Sequence, residues 1–126
     1  MRIITLNCNG IRAAARKGFF EWLSEQHADF VCLQETRIQP FQRTDPRFFP
    51  KGYTNCYVDA EKPGYSGVAL YCRRKPDRIR EGLGWADFDS EGRWIQADYG
   101  RLSVVSLYLP SGTSSDVRQD FKYDLM

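Results

Sequence analysis

Residues 3–34 read IITLNCNGIRAAARKGFFEWLSEQHADFVCLQ, and the changes of pattern within this stretch set the fold class. Residues 2–7 are rich in β-branched side chains and apolar on both sides, which suits an interior strand of a covered sheet. Asn9-Gly10 breaks the run. From Ala13 to about Gln26 the pattern is helical, with Phe19, Phe20 and Leu23 recurring at three- and four-residue spacing beside Trp22. Ala28-Asp29 leads into a second buried strand over 30–34. Strand, helix and strand in this order form a β-α-β unit, which implies two parallel strands joined by a right-handed crossover.

Downstream the pattern turns to strands. Residues 37–50 form a long loop. An aromatic-rich strand is expected over 53–58, a turn over 61–64 and an apolar strand over 67–72. Residues 94–99 and 102–109 flank Gly100-Arg101 as a hairpin. Residues 110–115 read as a turn and helix start with Ser115 as N-cap, and Val117, Phe121 and Leu125 share one helical face.

Composition excludes several classes. The 126 residues are 42% hydrophobic and 27% charged with a net charge of +2, ordinary globular usage rather than a fibrous or disordered chain. No apolar run approaches the roughly 20 residues of a membrane span. The first residues are too short an apolar stretch for a signal peptide, so no membrane partner and a cytoplasmic location are expected. Cys8, Cys32, Cys56 and Cys72 show no paired spacing and read as free, mostly buried thiols. The single histidine, His27, sits where a helix should end and reads as a cap. Arg12, Arg16 and Lys17 form one basic patch, and Arg73, Arg74, Lys75, Arg78 and Arg80 form another. Either is a solvated face or a polyanion contact.

Two polar residues close apolar strands, Asn7 after the first and Glu35 after the second. Strand ends are where an open α/β sheet binds ligands. A carboxylate there can hold Mg2+, which takes few protein oxygens and keeps its waters. An Asx-turn at Asn7 and a turn cap at Glu35 are the structural alternatives. Tyr108 closes the last strand and could donate to a phosphate oxygen or simply pack with a wet tip. Gly64-Tyr65-Ser66-Gly67 is a turn that could bind only in company. Asp87, Asp89 and Glu91-Gly92-Arg93 read as a solvated turn with an Arg–carboxylate pair.

In order along the chain, LNCNGIRAA (6–14), VCLQET (31–36), GYSGVALY (64–71), DSEGRWIQAD (89–98) and VVSLYLPSG (104–112) resemble the exonuclease III / AP endonuclease family. That family is a branch of the endonuclease–exonuclease–phosphatase fold. The resemblance implies an α/β fold, half of a four-layered α/β sandwich in which helices flank mainly antiparallel sheets. It implies Mg2+-dependent hydrolysis of DNA phosphodiesters, with Mn2+ as a substitute, on double-stranded DNA with abasic sites or 3′ ends. Glu35 matches the family's metal ligand. Asn7 matches an asparagine near metal and phosphate, and Tyr108 the tyrosine that contacts the scissile phosphate. Arg12, Lys17, Arg37 and Tyr65 match positions that hold DNA. Asn9 stands where some members carry Asp.

Members of that family run to roughly twice this length, and their GDxN and SDH motifs have no counterpart in this sequence. Residues 1–126 are therefore expected to be the N-terminal half of the domain, inactive alone and completed by a complementary C-terminal half, which could be a separate chain. A non-catalytic DNA-binding or self-associating half-fold is the alternative.

Overall fold

The computed structural model describes residues 1–109. The turn at 110–115 and the helical face of Val117, Phe121 and Leu125 lie outside the described residues. The chain begins with β1 (Ile3–Asn7), α1 (Ile11–Arg16), α2 (Phe19–Ser24) and β2 (Phe30–Gln34), followed by β3 (Thr54–Val58) and β4 (Val68–Cys72). It continues with β5 (Arg78–Arg80), α3 (Ala86–Asp89), β6 (Trp94–Tyr99) and β7 (Leu102–Leu107). Short 3-10 turns at Pro40–Gln42 and Pro46–Phe48 punctuate the loop between β2 and β3.

The expected β-α-β unit is present: β1 and β2 run parallel, Ile3 opposite Phe30 and Asn7 opposite Gln34. β4 pairs antiparallel with both β2 and β3, so the first sheet runs β1-β2-β4-β3. β5, β6 and β7 form a second, wholly antiparallel sheet. Two apolar layers follow from strand alternation. Val31, Leu33, Ala69 and Tyr71 face α1 and α2, where they meet Ile11, Phe19, Phe20 and Leu23. Phe30, Cys32, Leu70 and Cys72 face the second sheet and meet Ile95, Ala97, Tyr99 and Val104. Helices over one sheet packed on another sheet make a partial α/β sandwich of the expected class.

Three local expectations are corrected. The helix over 13–26 is two helices, because Gly18 adopts φ +91° and interrupts the first before α2 begins. His27 caps neither; it is exposed, with φ +54°. The first strand, expected inside a covered sheet, is an edge strand, and Ile3 and Leu6 stay 52% and 37% exposed. β7 is likewise the last strand of its sheet, with Leu102 and Leu107 exposed. It packs against β2, the neighbour of β1, so the two edges left unpaired among the described residues lie on the same side of the sandwich. The four cysteines are free, as expected. No helix among the described residues is long and apolar enough to cross a membrane.

Candidate active site

Glu35 leaves β2 with φ +53°, and Arg37 and Ser66 also have positive φ. Such backbone costs on the order of 1–3 kcal/mol per residue and persists only where neighbours fix it. Here three loops fix one another through backbone bonds. Gly10 and Ile11 N–H donate to the Glu35 and Thr36 carbonyls at 2.8 and 2.9 Å. Thr36 and Arg37 N–H donate to the Gly67 and Ser66 carbonyls at 3.1 and 2.8 Å, and Gly67 N–H donates to the Gly92 carbonyl at 3.0 Å. The strain thus collects where the ends of β1 and β2 and the segment before β4 meet.

Those loops floor a small pocket of about 100 Å3 lined by Glu35, Arg37, Tyr65, Arg93 and Tyr108. Tyr108 Oη donates to Glu35 Oε1 at 2.6 Å, a charge-assisted bond between residues 73 apart in sequence. Arg37 Nη2 stands 3.5 Å from Glu35 Oε2. Arg93 is only 2% exposed. Its Nη2 donates to Tyr65 Oη at 2.7 Å, and Tyr65 Oη donates to Glu91 Oε1 at 3.2 Å. The same guanidinium lies 5.7 Å from the Tyr65 ring centroid and 5.1 Å from that of Tyr108, and Tyr108 N–H donates to the Arg93 carbonyl at 3.0 Å. A buried arginine therefore packs against both tyrosine rings and holds the Tyr65 hydroxyl.

The remaining sequence candidates lie around this pocket rather than in it. Arg12 Nη2 donates to the Arg37 carbonyl at 3.2 Å, and with Arg16 and Arg37 it borders an adjoining groove. Asn7 and Lys17 line a separate groove beside Trp22. Asn7 Oδ1 accepts from Asn9 N–H at 3.0 Å, the Asx-turn that is its structural alternative. Arg93 is expected in a solvated turn, and its burial corrects that expectation. The signal is in the sequence: Arg93, Ile95, Ala97 and Tyr99 alternate on one face of β6 and its approach, and all four are buried.

Among the described residues no three His, Cys, Asp or Glu side chains converge as a cation cage. A hard cation that keeps several waters needs only one or two carboxylates. Glu35, whose side chain is 17% exposed and opens on the pocket, fits that mode of binding and no fuller one.

Cys8 reports on the same carboxylate. Burial and, secondarily, the negative charge of Glu35 push its thiol from 9.0 up to about 12. The thiolate is the reactive form. At pH 8 Cys8 should therefore react with iodoacetamide on the order of tens of times more slowly than an unshifted thiol, because the loss of thiolate outweighs the greater nucleophilicity of a high-pKa thiolate. Mass spectrometry of alkylated peptides over a time course tests this, and a Cys8 rate equal to that of free cysteine would contradict it. The raised value also links to folding. Its contribution to stability is complete below about pH 9 and is lost as pH climbs toward 12.

The chain is similar to known nucleases along nearly all of its length. The family model for the endonuclease/exonuclease/phosphatase family matches residues 4–125. An exodeoxyribonuclease of Bacillus subtilis is 37% identical over 97% of this chain and 48% of its own length. A DNA-(apurinic or apyrimidinic site) endonuclease of Dictyostelium discoideum is 35% identical over 97% of this chain and 34% of its own. The crystal structure of the Xenopus laevis APE2 catalytic domain superposes with a TM-score of 0.81 at 28% identity, covering 98% of this chain and 50% of that one. The chain thus spans about half the length of these relatives or less. The family match runs over nearly the whole chain and the partial α/β sandwich agrees with it, so this chain belongs to the endonuclease/exonuclease/phosphatase family.

Proposed function

We propose that residues 1–126 form the N-terminal half of a DNA-repair nuclease domain of the exodeoxyribonuclease III type. The assembled enzyme hydrolyses phosphodiesters in double-stranded DNA at abasic sites or from 3′ ends. The bond between Tyr108 and Glu35 carries the reading, because it places a phenol donor against the one carboxylate at the end of a parallel strand. Mg2+, or Mn2+ in its place, would supply positive charge to the phosphate oxygens, held by Glu35, with Asn7 as a second oxygen donor once its Oδ1 leaves the Asn9 N–H. Tyr108 would turn its hydroxyl from Glu35 to a phosphate oxygen. Arg37 and Arg12, bonded through the Arg37 carbonyl, would hold the DNA backbone, with Lys17 and Tyr65 on either side. These contacts are to phosphate, so affinity falls with salt and ignores sequence. The free thiols suit a reducing compartment such as the cytoplasm.

The two sheet edges left unpaired among the described residues and the exposed Ile3, Leu6, Leu102 and Leu107 support a half-domain, as does the coverage of relatives by about half. Such edges invite strand pairing. The 126-residue chain alone should leave an abasic duplex uncut in Mg2+. Adding a polypeptide equivalent to the C-terminal half of the Bacillus subtilis relative should restore EDTA-sensitive cleavage. Efficient cleavage by the chain alone would refute the half-domain reading, and no cleavage by a well-folded complex of the two would refute the nuclease reading.

A further inference from the structure

The second basic patch, from Arg73 to Arg80, is not used by the proposed nuclease site. β2 begins at Phe30 and ends beside Glu35, and Phe30 pairs with Cys72, so Arg73 and Arg74 lie roughly 13 Å of strand away from the site, at the other end. Beside them opens a groove of about 520 Å3 between α2 and the loop preceding β3. Phe20, Leu23, Phe49 and Tyr53 give it apolar walls, Lys51 and Arg73 stand at its rim, and among the described residues no carboxylate lines it. Arg47 also borders it, but Asp45 and Glu21 already pair with that guanidinium at 2.9 and 3.5 Å. Lys51 is exposed and forms no ion pair among the described residues.

A cationic, aromatic surface can serve nucleic acid or protein, and the ring geometry separates them. Single-stranded nucleic acid needs open ring faces on which bases stack. Here the Arg73 guanidinium sits 5.1 Å over the Tyr53 ring, and Arg74 sits 4.9 Å over Tyr99. Arg73 is also tied in place, donating to the Ala28 carbonyl and to Tyr53 Oη, each at 3.1 Å. One face of each tyrosine is therefore occupied, and Phe49, 43% exposed, is left as the open ring of the groove. What the groove offers is an apolar slot under fixed positive charge, the complement of a bulky apolar side chain flanked by carboxylates.

We propose that this groove docks an acidic peptide segment of a partner protein, one carrying phenylalanine or leucine between aspartates or glutamates. Because the groove lies at the far end from Glu35, docking leaves the DNA-binding end open. The proposal does not depend on nuclease activity.

The test uses the 126-residue chain and three fluorescein-labelled probes followed by anisotropy at low salt. The probes are a decapeptide alternating aspartate with phenylalanine and leucine, the same peptide with serine at the apolar positions, and a ten-nucleotide oligothymidylate. The first should bind saturably and the serine peptide at least tenfold more weakly. Lys51→Glu and Phe49→Ser change exposed side chains, so the circular dichroism should stay native, and each should weaken the first peptide at least fivefold. Lys51→Glu should leave oligothymidylate affinity within twofold. Equal binding of both peptides, or peptide affinity unmoved by both substitutions, would overturn the proposal. So would oligothymidylate binding that falls at least fivefold with Lys51→Glu, since that would make the groove a nucleic-acid surface.

Discussion

Glu35→Gln is expected to lower turnover of the assembled nuclease on the order of a thousandfold while leaving the fold intact. Glutamine keeps a carbonyl oxygen where Tyr108 Oη now donates at 2.6 Å, so the hydrogen bond that ties the two sheets together at the pocket can survive. What disappears is the negative charge. Among the described residues this pocket has no three-carboxylate cage that could share the load, so a cation loses its principal protein ligand. A Lewis-acid metal supplies several kcal/mol of charge stabilisation, and about 4 kcal/mol corresponds to roughly three powers of ten in rate. Steady-state cleavage of an abasic duplex across a Mg2+ titration measures the loss, and an unchanged Mg2+ dependence would remove Glu35 from the site. The chain alone provides a second readout. The Glu35 charge is one of the two causes that raise the Cys8 thiol, so Glu35→Gln should quicken Cys8 alkylation at pH 8 with no substrate present.

The sequence shows the local parts of this site more clearly than their assembly. β1, β2 and their parallel pairing are legible because two apolar runs flank a stretch of helical period. The hairpin of β6 and β7 is legible because Gly100-Arg101 separates two apolar runs. The edge position of β1 is not legible, since an apolar run reports what a strand could bury and not which strands exist to bury it. The helix break at Gly18 depends on a left-handed backbone that helical periodicity passes over. β5 and α3 are three and four residues long, too short for any period to emerge. Glu35 and Tyr108 can be named one at a time as strand-end residues. Their contact joins the ends of β2 and β7 across two sheets, a matter of topology, and in the sequence only the family resemblance brings them together. Arg93 is within reach by alternation alone, but a charged residue beside glutamate is usually solvated, and that expectation masks it.

Gly92→Ala should be strongly destabilising, costing about 2–5 kcal/mol of folding stability. Gly92 has φ +62°, where a side chain costs about 1–2 kcal/mol. A Cβ there would stand 2.5 Å from the Ala60 nitrogen, 2.8 Å from the Asp59 carbonyl carbon and 3.1 Å from the Ala60 Cα. These are backbone atoms and cannot swing aside as a side chain would. Moving them would disturb the Asp59 carboxylate, which accepts from Arg43 Nη1 at 2.7 Å, and the Ala60 carbonyl, which accepts from Gln39 Nε2 at 2.9 Å. Overpacking of this kind adds about 1–3 kcal/mol. The Gly92 carbonyl also receives Gly67 N–H at 3.0 Å and Ser66 Oγ at 3.2 Å, so a shift here reaches the loop that carries Tyr65 and the backbone that carries Arg93. Gly100→Ala isolates the backbone cost, because Gly100 has φ +47° and an added methyl would meet no atom within 4 Å. Urea unfolding of both variants separates the two contributions. A Gly92→Ala loss no larger than that of Gly100→Ala would mean that the 59–60 backbone does not press on Gly92.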